Sequence, residues 1–195
     1  MNFLAHAYLS FGDPEVLTGN MISDYVKGKK KFDFAPRILG GIDLHRSIDE
    51  FTDNHPVTKE AAKYFKPAYG LYSSAFMDVT YDHFLAKEIL LHGEQKFREF
   101  SADIYQKLER FEEVFPERFR TMFPLMKVHN WLLNYQFMWG IERSFQGLVS
   151  RAKYIDSSEA AMLVFMENYQ LLSVAYKEFF PQLREYSLKK FADIH

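Results

Sequence analysis

The sequence predicts an all-α fold, a compact multi-helix single domain, and three observations carry that expectation. Apolar residues recur at helical spacing through most of the chain, and no run alternates with the period of a strand. Pro and Gly fall mostly where one periodic segment ends and the next begins. The 195 residues are 48% hydrophobic, with 20 Phe and 12 Tyr, which is enough apolar volume for one sizeable core. No composition break divides them, so a single all-helical domain over residues 1–195, built of eight to ten helices, is expected.

Taken in order, Met1–Ser10 is apolar but short and lacks a basic leader, so it reads as the first core helix and not as a signal peptide. Asp13-Pro14 supplies an N-cap and a first helical residue for a second helix, with Gly28 placed as its stop. The basic run Lys27–Phe34 reads as a loop. Pro36 opens a central helix, weakened at its start by Gly40 and Gly41 and broken at His55-Pro56, after which a short helix continues to about Phe65. Residues 71–92 are apolar almost all round, the mark of a buried central element. Amphipathic segments follow near 94–114, 117–138, 141–153, 157–179 and 181–193, punctuated by Pro116, Gly140, Asp156-Ser157 and Pro181.

Composition narrows the function classes. The absence of cysteine excludes thiol catalysis, disulfides and Cys-ligated zinc. The net charge of −2 argues against a dedicated nucleic-acid binder. No stretch approaches the ~18 uninterrupted apolar residues of a membrane span. A soluble cytoplasmic protein with no membrane or nucleic-acid partner is expected.

The functional signal is a conflict between polarity and predicted burial. In Gly41–Pro56, at about 100° per residue, His45, Asp49 and Asp53 fan across one side of the helix together with Ile38, Ile42, Ile48 and Thr52. Ionised carboxylates are rarely buried unless they are paired or bind a metal. Asp78 and Asp82 repeat the pattern on the long helix, one turn apart, sharing a face with Leu71, Ala75, Leu85 and Ile89. Two like charges at that spacing repel unless a cation or a shared proton intervenes. Arg37, Arg143 and Arg151 are available as counter-ions. Asn20 and Asp24 form a third pair, for which an Asp24–Lys27 surface ion pair competes, and His6 on the first helix is a fourth candidate. Asp53 or Asn54 would equally serve as a helix cap at Pro56. His83 projects away from Asp78 and Asp82 and reads as a core histidine. Imidazole plus carboxylates without thiolate points to Mn²⁺, with Mg²⁺ or Fe as alternatives, and to hydrolysis of phosphoesters. No Gly-rich phosphate loop, Ser nucleophile elbow or His-Glu-x-x-His motif is present.

Four blocks, Met1–His6, Gly19–Gly28, Gly41–Pro56 and Asp78–Ala86, resemble the acyl carrier protein phosphodiesterase family in order and in spacing, and Gly140–Ser144 extends the likeness weakly. The resemblance implies an all-α fold distantly like the HD-type metal phosphohydrolases. It also implies a Mn²⁺-assisted activity that removes 4′-phosphopantetheine from the serine of holo acyl carrier protein, leaving apo carrier. By the same resemblance Asn20 and Asp24 are catalytic, with His6, Asp24, His45, Asp49, Asp78 and Asp82 as metal ligands or their neighbours. Residues 94–139 carry no recognisable block.

Acyl carrier proteins are strongly acidic, and Lys27, Lys29, Lys30 and Lys31 follow Asp24 directly, so this run is expected to steer the partner. A solvated loop is its plainer reading. Two rivals remain at this point. One is a metal-dependent hydrolase of a nucleotide or another small phosphoester, which would not need the lysines. The other is a non-catalytic helical binding protein whose buried polar residues are structural pairs.

Overall fold

The computed structural model describes residues 1–195, and every regular element in it is helical. Twelve α-helices follow one another: α1 (Phe3–Tyr8), α2 (Pro14–Ile22), α3 (Pro36–Asn54), α4 (Pro56–Ala62), α5 (Lys66–Tyr69), α6 (Ser73–Leu90), α7 (Glu94–Glu109), α8 (Glu117–Val128), α9 (Trp131–Asn134), α10 (Met138–Val149), α11 (Glu159–Glu167) and α12 (Tyr169–Ala192). Short 3-10 turns at Ser23–Tyr25, Gly28–Asp33, Gly70–Tyr72 and Glu112–Val114 join them.

Local chemistry explains most boundaries. Asp13 accepts from the N–H groups of Glu15 and Val16, and Pro14 needs no donor at the first helical position, so α2 starts there. It ends earlier than expected, at Ile22, and Asp24 sits on the 3-10 turn that follows. Helix α3 runs straight through Gly40 and Gly41 instead of fraying at them. The reason is packing. A Cβ on Gly41 would lie 2.2 Å from Val16 O, and one on Gly19 would lie 1.9 Å from Ile38 O, so the α2 and α3 backbones touch at two glycines. Neither Asp53 nor Asn54 caps α4, whose N-cap residue is His55.

Two prolines lie inside helices, and one of them, Pro181, was expected as a boundary. Pro181 sits within α12, exposed, while the apolar stripe Leu172, Tyr176, Phe179, Phe180 and Leu183 continues past it on the other face. Burial of that stripe outweighs the one backbone hydrogen bond that proline removes. Pro124 is tolerated in α8 in the same way. The segment expected at 117–138 divides into α8 and α9 at Asn130, which adopts a left-handed backbone (φ 45°) and accepts from Leu133 N–H.

As its sequence suggests, α6 is the central element. Its run from Phe76 to Ala86 is buried except for Asp78, and it packs against α1, α4, α7, α10 and α12. Leu71 lies before α6 on a 3-10 turn and is fully exposed, so it does not share the Asp78 face. Helix α1 packs against both α6 and α2, and α2 against α3, and on these four helices lie the buried His6, Asn20, His45 and Asp82.

Candidate functional site

His6 and His45 stack with their ring centroids 3.9 Å apart and their planes 12° from parallel. Asn20 holds both. Its side-chain amide donates to His6 O (3.0 Å) and Ser10 Oγ (3.1 Å), which leaves Oδ1 to accept from His6 Nδ1–H at 2.7 Å. Its backbone carbonyl accepts from His45 Nδ1–H at 2.7 Å. Asn20 thus sets the orientation of both rings and turns their Nε2 atoms the same way, His6 Nε2 also facing Met1 O at 3.2 Å. This is the arrangement that orients metal-ligating histidines.

Asp49, one turn after His45 on α3, receives the two Nε2 atoms: Oδ1 lies 3.3 Å from His6 Nε2 and Oδ2 lies 3.1 Å from His45 Nε2. His6, His45 and Asp49 each bring one ligand atom within 4.8 Å of the others, so the three together could hold a metal ion. Asp24 Oδ1 is a further 3.2 Å from His45 Nε2. Its partner is this imidazole and not Lys27. The side-chain exposures of 3% for His6, 7% for His45, 37% for Asp49 and 71% for Asp24 run from buried imidazoles to an open carboxylate. Asp24 marks the mouth.

Charge is distributed unevenly in the cluster. Burial lowers the His6 pKa to about 4, helped by the neighbouring His45 charge. Burial also acts to lower that of His45, but the Asp24 and Asp49 carboxylates outweigh it and raise the value to about 9. Asp49 is held far below the usual carboxylate range, since the Met1 ammonium and the two imidazoles overcome its desolvation. Near neutral pH and without a metal, His6 is neutral and His45 carries one extra proton, on Nε2. A divalent ion would have to displace it.

Asp78 and Asp82 do not meet the imidazoles. Asp78 Oδ1 lies 3.0 Å from the Met1 ammonium, which sits 3.0 Å from Asp49 Oδ1 as well. Asp82 lies apart from the cluster of imidazoles, against the start of α1. It is fully buried, and its carboxylate accepts from the N–H groups of Asn2 (3.3 Å), Leu4 (2.7 Å) and Ala5 (3.2 Å), the free donors at the start of α1. The repulsion between the two aspartates is thus relieved by two separate partners, the ammonium and a helix N-terminus. Burial still pushes Asp78 up to about 6 and Asp82 up to about 7. Asn20 is fully enclosed and positions the two histidines. His83 is buried between Tyr135 O (2.7 Å) and Tyr169 Oη (3.0 Å), away from the cluster. No pattern of side chains could have revealed the Met1 amine as the counter-ion of Asp78. The arginines expected in that role lie elsewhere, Arg37 pairing with Asp13.

The lysine run forms the exposed 3-10 segment beside Asp24. Lys31 turns back to pair with Asp43 at 2.6 Å, leaving Lys27, Lys29 and Lys30 without an acidic partner.

A stacked pair of oriented imidazoles with adjoining carboxylates is chemistry shared by many hydrolases, and comparison with known proteins decides among them. Residues 1–183 match the family described as Acyl carrier protein phosphodiesterase. The chain belongs to this family. Curated relatives called acyl carrier protein phosphodiesterase include that of Escherichia coli O6:H1, 29% identical over 191 residues, which span 97% of this chain and 99% of the relative. Those of Escherichia coli O45:K1 and of strain K12 are 29% and 28% identical over the same span. No solved structure matches. The phosphodiesterase family match takes in residues 94–139, where the sequence offers no recognisable motif. No helix is long and apolar enough to cross a membrane.

Proposed function

We propose that this protein is a metal-dependent phosphodiesterase that hydrolyses 4′-phosphopantetheine from holo acyl carrier protein. Family membership supports the carrier protein as substrate. The observation that carries the chemistry is the shared orientation of His6 Nε2 and His45 Nε2 towards Asp49, imposed by Asn20. These two imidazole nitrogens and a carboxylate fit Mn²⁺ or Fe, and Mg²⁺ less well. His6, His45 and Asp49 would hold the ion, with Asp24 at its open side. A bound divalent ion would polarise a phosphoryl oxygen and make a water more acidic.

The protein's own groups have distinct tasks. Asn20 fixes the ring orientations, and the stacking of the rings limits their rotation. Asp24 is the exposed carboxylate beside His45, placed to take a proton from the attacking water. That water adds to phosphorus as the bond to the serine oxygen breaks. The serine oxygen recovers a proton, and the products are apo carrier and 4′-phosphopantetheine. Lys27, Lys29 and Lys30 would receive the acidic carrier next to Asp24.

One observation favours the non-catalytic reading: the Met1 ammonium already gives Asp49 and Asp78 a structural counter-charge. The two readings separate on incubation with holo acyl carrier protein, with Mn²⁺ or with chelator, followed by mass analysis of the carrier. Loss of the prosthetic group with metal only is the expected result. An unchanged carrier with saturating Mn²⁺ would favour a structural role for the cluster.

A further inference from the structure

A cavity of about 480 Å³ lies between α8, α9 and α10, lined among others by Asn2, Met122, Trp131, Trp139, Arg143 and Arg151. Seven of its fifteen lining residues come from 94–139, the part of the chain without a recognisable block. It adjoins the site along two walls. Asn2 and Phe3 follow Met1, whose ammonium contacts Asp49, and Phe3 meets Trp131 with ring centroids 6.3 Å apart. On the other side Tyr25 follows Asp24, donates to Met122 Sδ at 3.4 Å, and lies close enough to Arg151 to feel its charge.

The chemistry of the lining is amphipathic. Trp131, Trp139, Met122 and Leu125 offer apolar surface; Trp139 is 47% exposed although one side of its ring stacks on Phe137, and Leu125 is 54% exposed. Arg143 and Arg151 form no ion pair with any acidic side chain, and Arg143 lies over the Trp139 ring at 5.8 Å. Unpaired guanidinium groups beside aromatic surface suit a ligand with a phosphate at one end and a mostly uncharged chain at the other. The volume falls in the range that encloses a molecule of that size.

We infer that this cavity receives the pantetheine arm of the carrier, with Arg143 and Arg151 supplying donors to its phosphate and Trp131 and Trp139 contacting the arm. The inference rests on the phosphodiesterase reading for the identity of the ligand, and on the cavity's own lining for its chemistry. It gives the exposed apolar surface of α8 to α10 a role: a carrier docked on the lysines could feed its arm past Asp24 and Tyr25, which meets Met122, into the cavity.

Both tryptophans of the chain line this cavity, so fluorescence excited selectively at tryptophan, and not at the 12 tyrosines, reports on it. The test is titration of the metal-free protein with 4′-phosphopantetheine, alongside inorganic phosphate, and with Arg143→Gln and Arg151→Gln as variants. Both arginines are exposed, so neither change disturbs the core. A saturable change is expected with 4′-phosphopantetheine and not with phosphate at the same concentration. Each variant should weaken it roughly tenfold or more, the scale of a lost charged hydrogen bond. Trp139→Ala should raise KM for holo carrier more than it lowers kcat. Hydrolysis of holo carrier without any saturable fluorescence change, or with unaltered KM in Trp139→Ala, would overturn the cavity assignment and leave the phosphodiesterase reading intact. Saturable binding in a protein that fails to hydrolyse holo carrier would refute that reading and support the cavity.

Discussion

Gly19→Ala should damage stability and metal affinity together, because one backbone contact sets both. The added Cβ would lie 1.9 Å from Ile38 O, where ordinary contact begins near 3.4 Å, so α2 and α3 must part by about 1.5 Å at that point. Forcing a methyl group into such a contact costs about 1–3 kcal/mol. The next residue is Asn20, whose carbonyl accepts from His45 Nδ1–H at 2.7 Å. Opening the crossing by that amount stretches this bond past any useful length and frees the His45 tautomer. Losing an outer partner of a metal-binding histidine typically lowers metal affinity by about 10–100-fold. Thermal denaturation and Mn²⁺ titration of the variant measure the two effects. Gly147→Ala is the control, since nothing lies within 4 Å of its Cβ, and it should leave both unchanged or add slightly to stability. Gly19→Ala with stability within about 0.5 kcal/mol of the parent and unaltered Mn²⁺ affinity would refute the reasoning.

Three further outcomes are expected. Asp24→Asn keeps the shape of the exposed mouth carboxylate and removes its charge, so turnover of holo carrier should fall by at least ~10²-fold while carrier binding survives, as measured by steady-state kinetics and a binding titration. Reversing Lys29 and Lys30 to Glu should slow association with an acidic carrier, and stopped-flow rates should converge with those of the parent as salt rises, since exposed charges are screened beyond about 10 Å at 0.1 M. Burial lowers the pKa of His83 from 6.5 to about 4, so below 6.5 the unfolded chain takes a proton that the folded one refuses. Stability should therefore fall between pH 6.5 and about 4, by about 3 kcal/mol from this group, and denaturation of His83→Gln across that window should lack this share of the slope.

Much of this was legible in the sequence, and the misses have physical causes. The all-α class and the buried α6 follow from periodicity, which burial enforces. His45 and Asp49 stood out because charge and predicted burial disagree on one helix face, and the structure sets both beside His6. The same argument goes less far for Asp82. It identifies a carboxylate that needs a partner but not which partner, and the free N–H groups at the start of α1 served as well as a cation. Gly40 and Gly41 read as weak points in isolation because the backbone of α2, which requires one of them, is remote in sequence. Pro181 read as a break because the stripe that carries α12 past it gains its energy from tertiary burial. The arginine-lined cavity could not be seen at all, since α8, α9 and α10 contribute to it from residues without any shared local pattern.

The central claim is that His6, His45 and Asp49 form a metal centre. Anomalous scattering at the manganese edge from crystals grown with Mn²⁺ tests it most directly. The account predicts one principal peak at bonding distance, about 2.0–2.3 Å, from His6 Nε2, His45 Nε2 and an Asp49 oxygen, with Asp24 on its open side. An active protein whose crystals show no peak there, or a principal peak elsewhere, would contradict it.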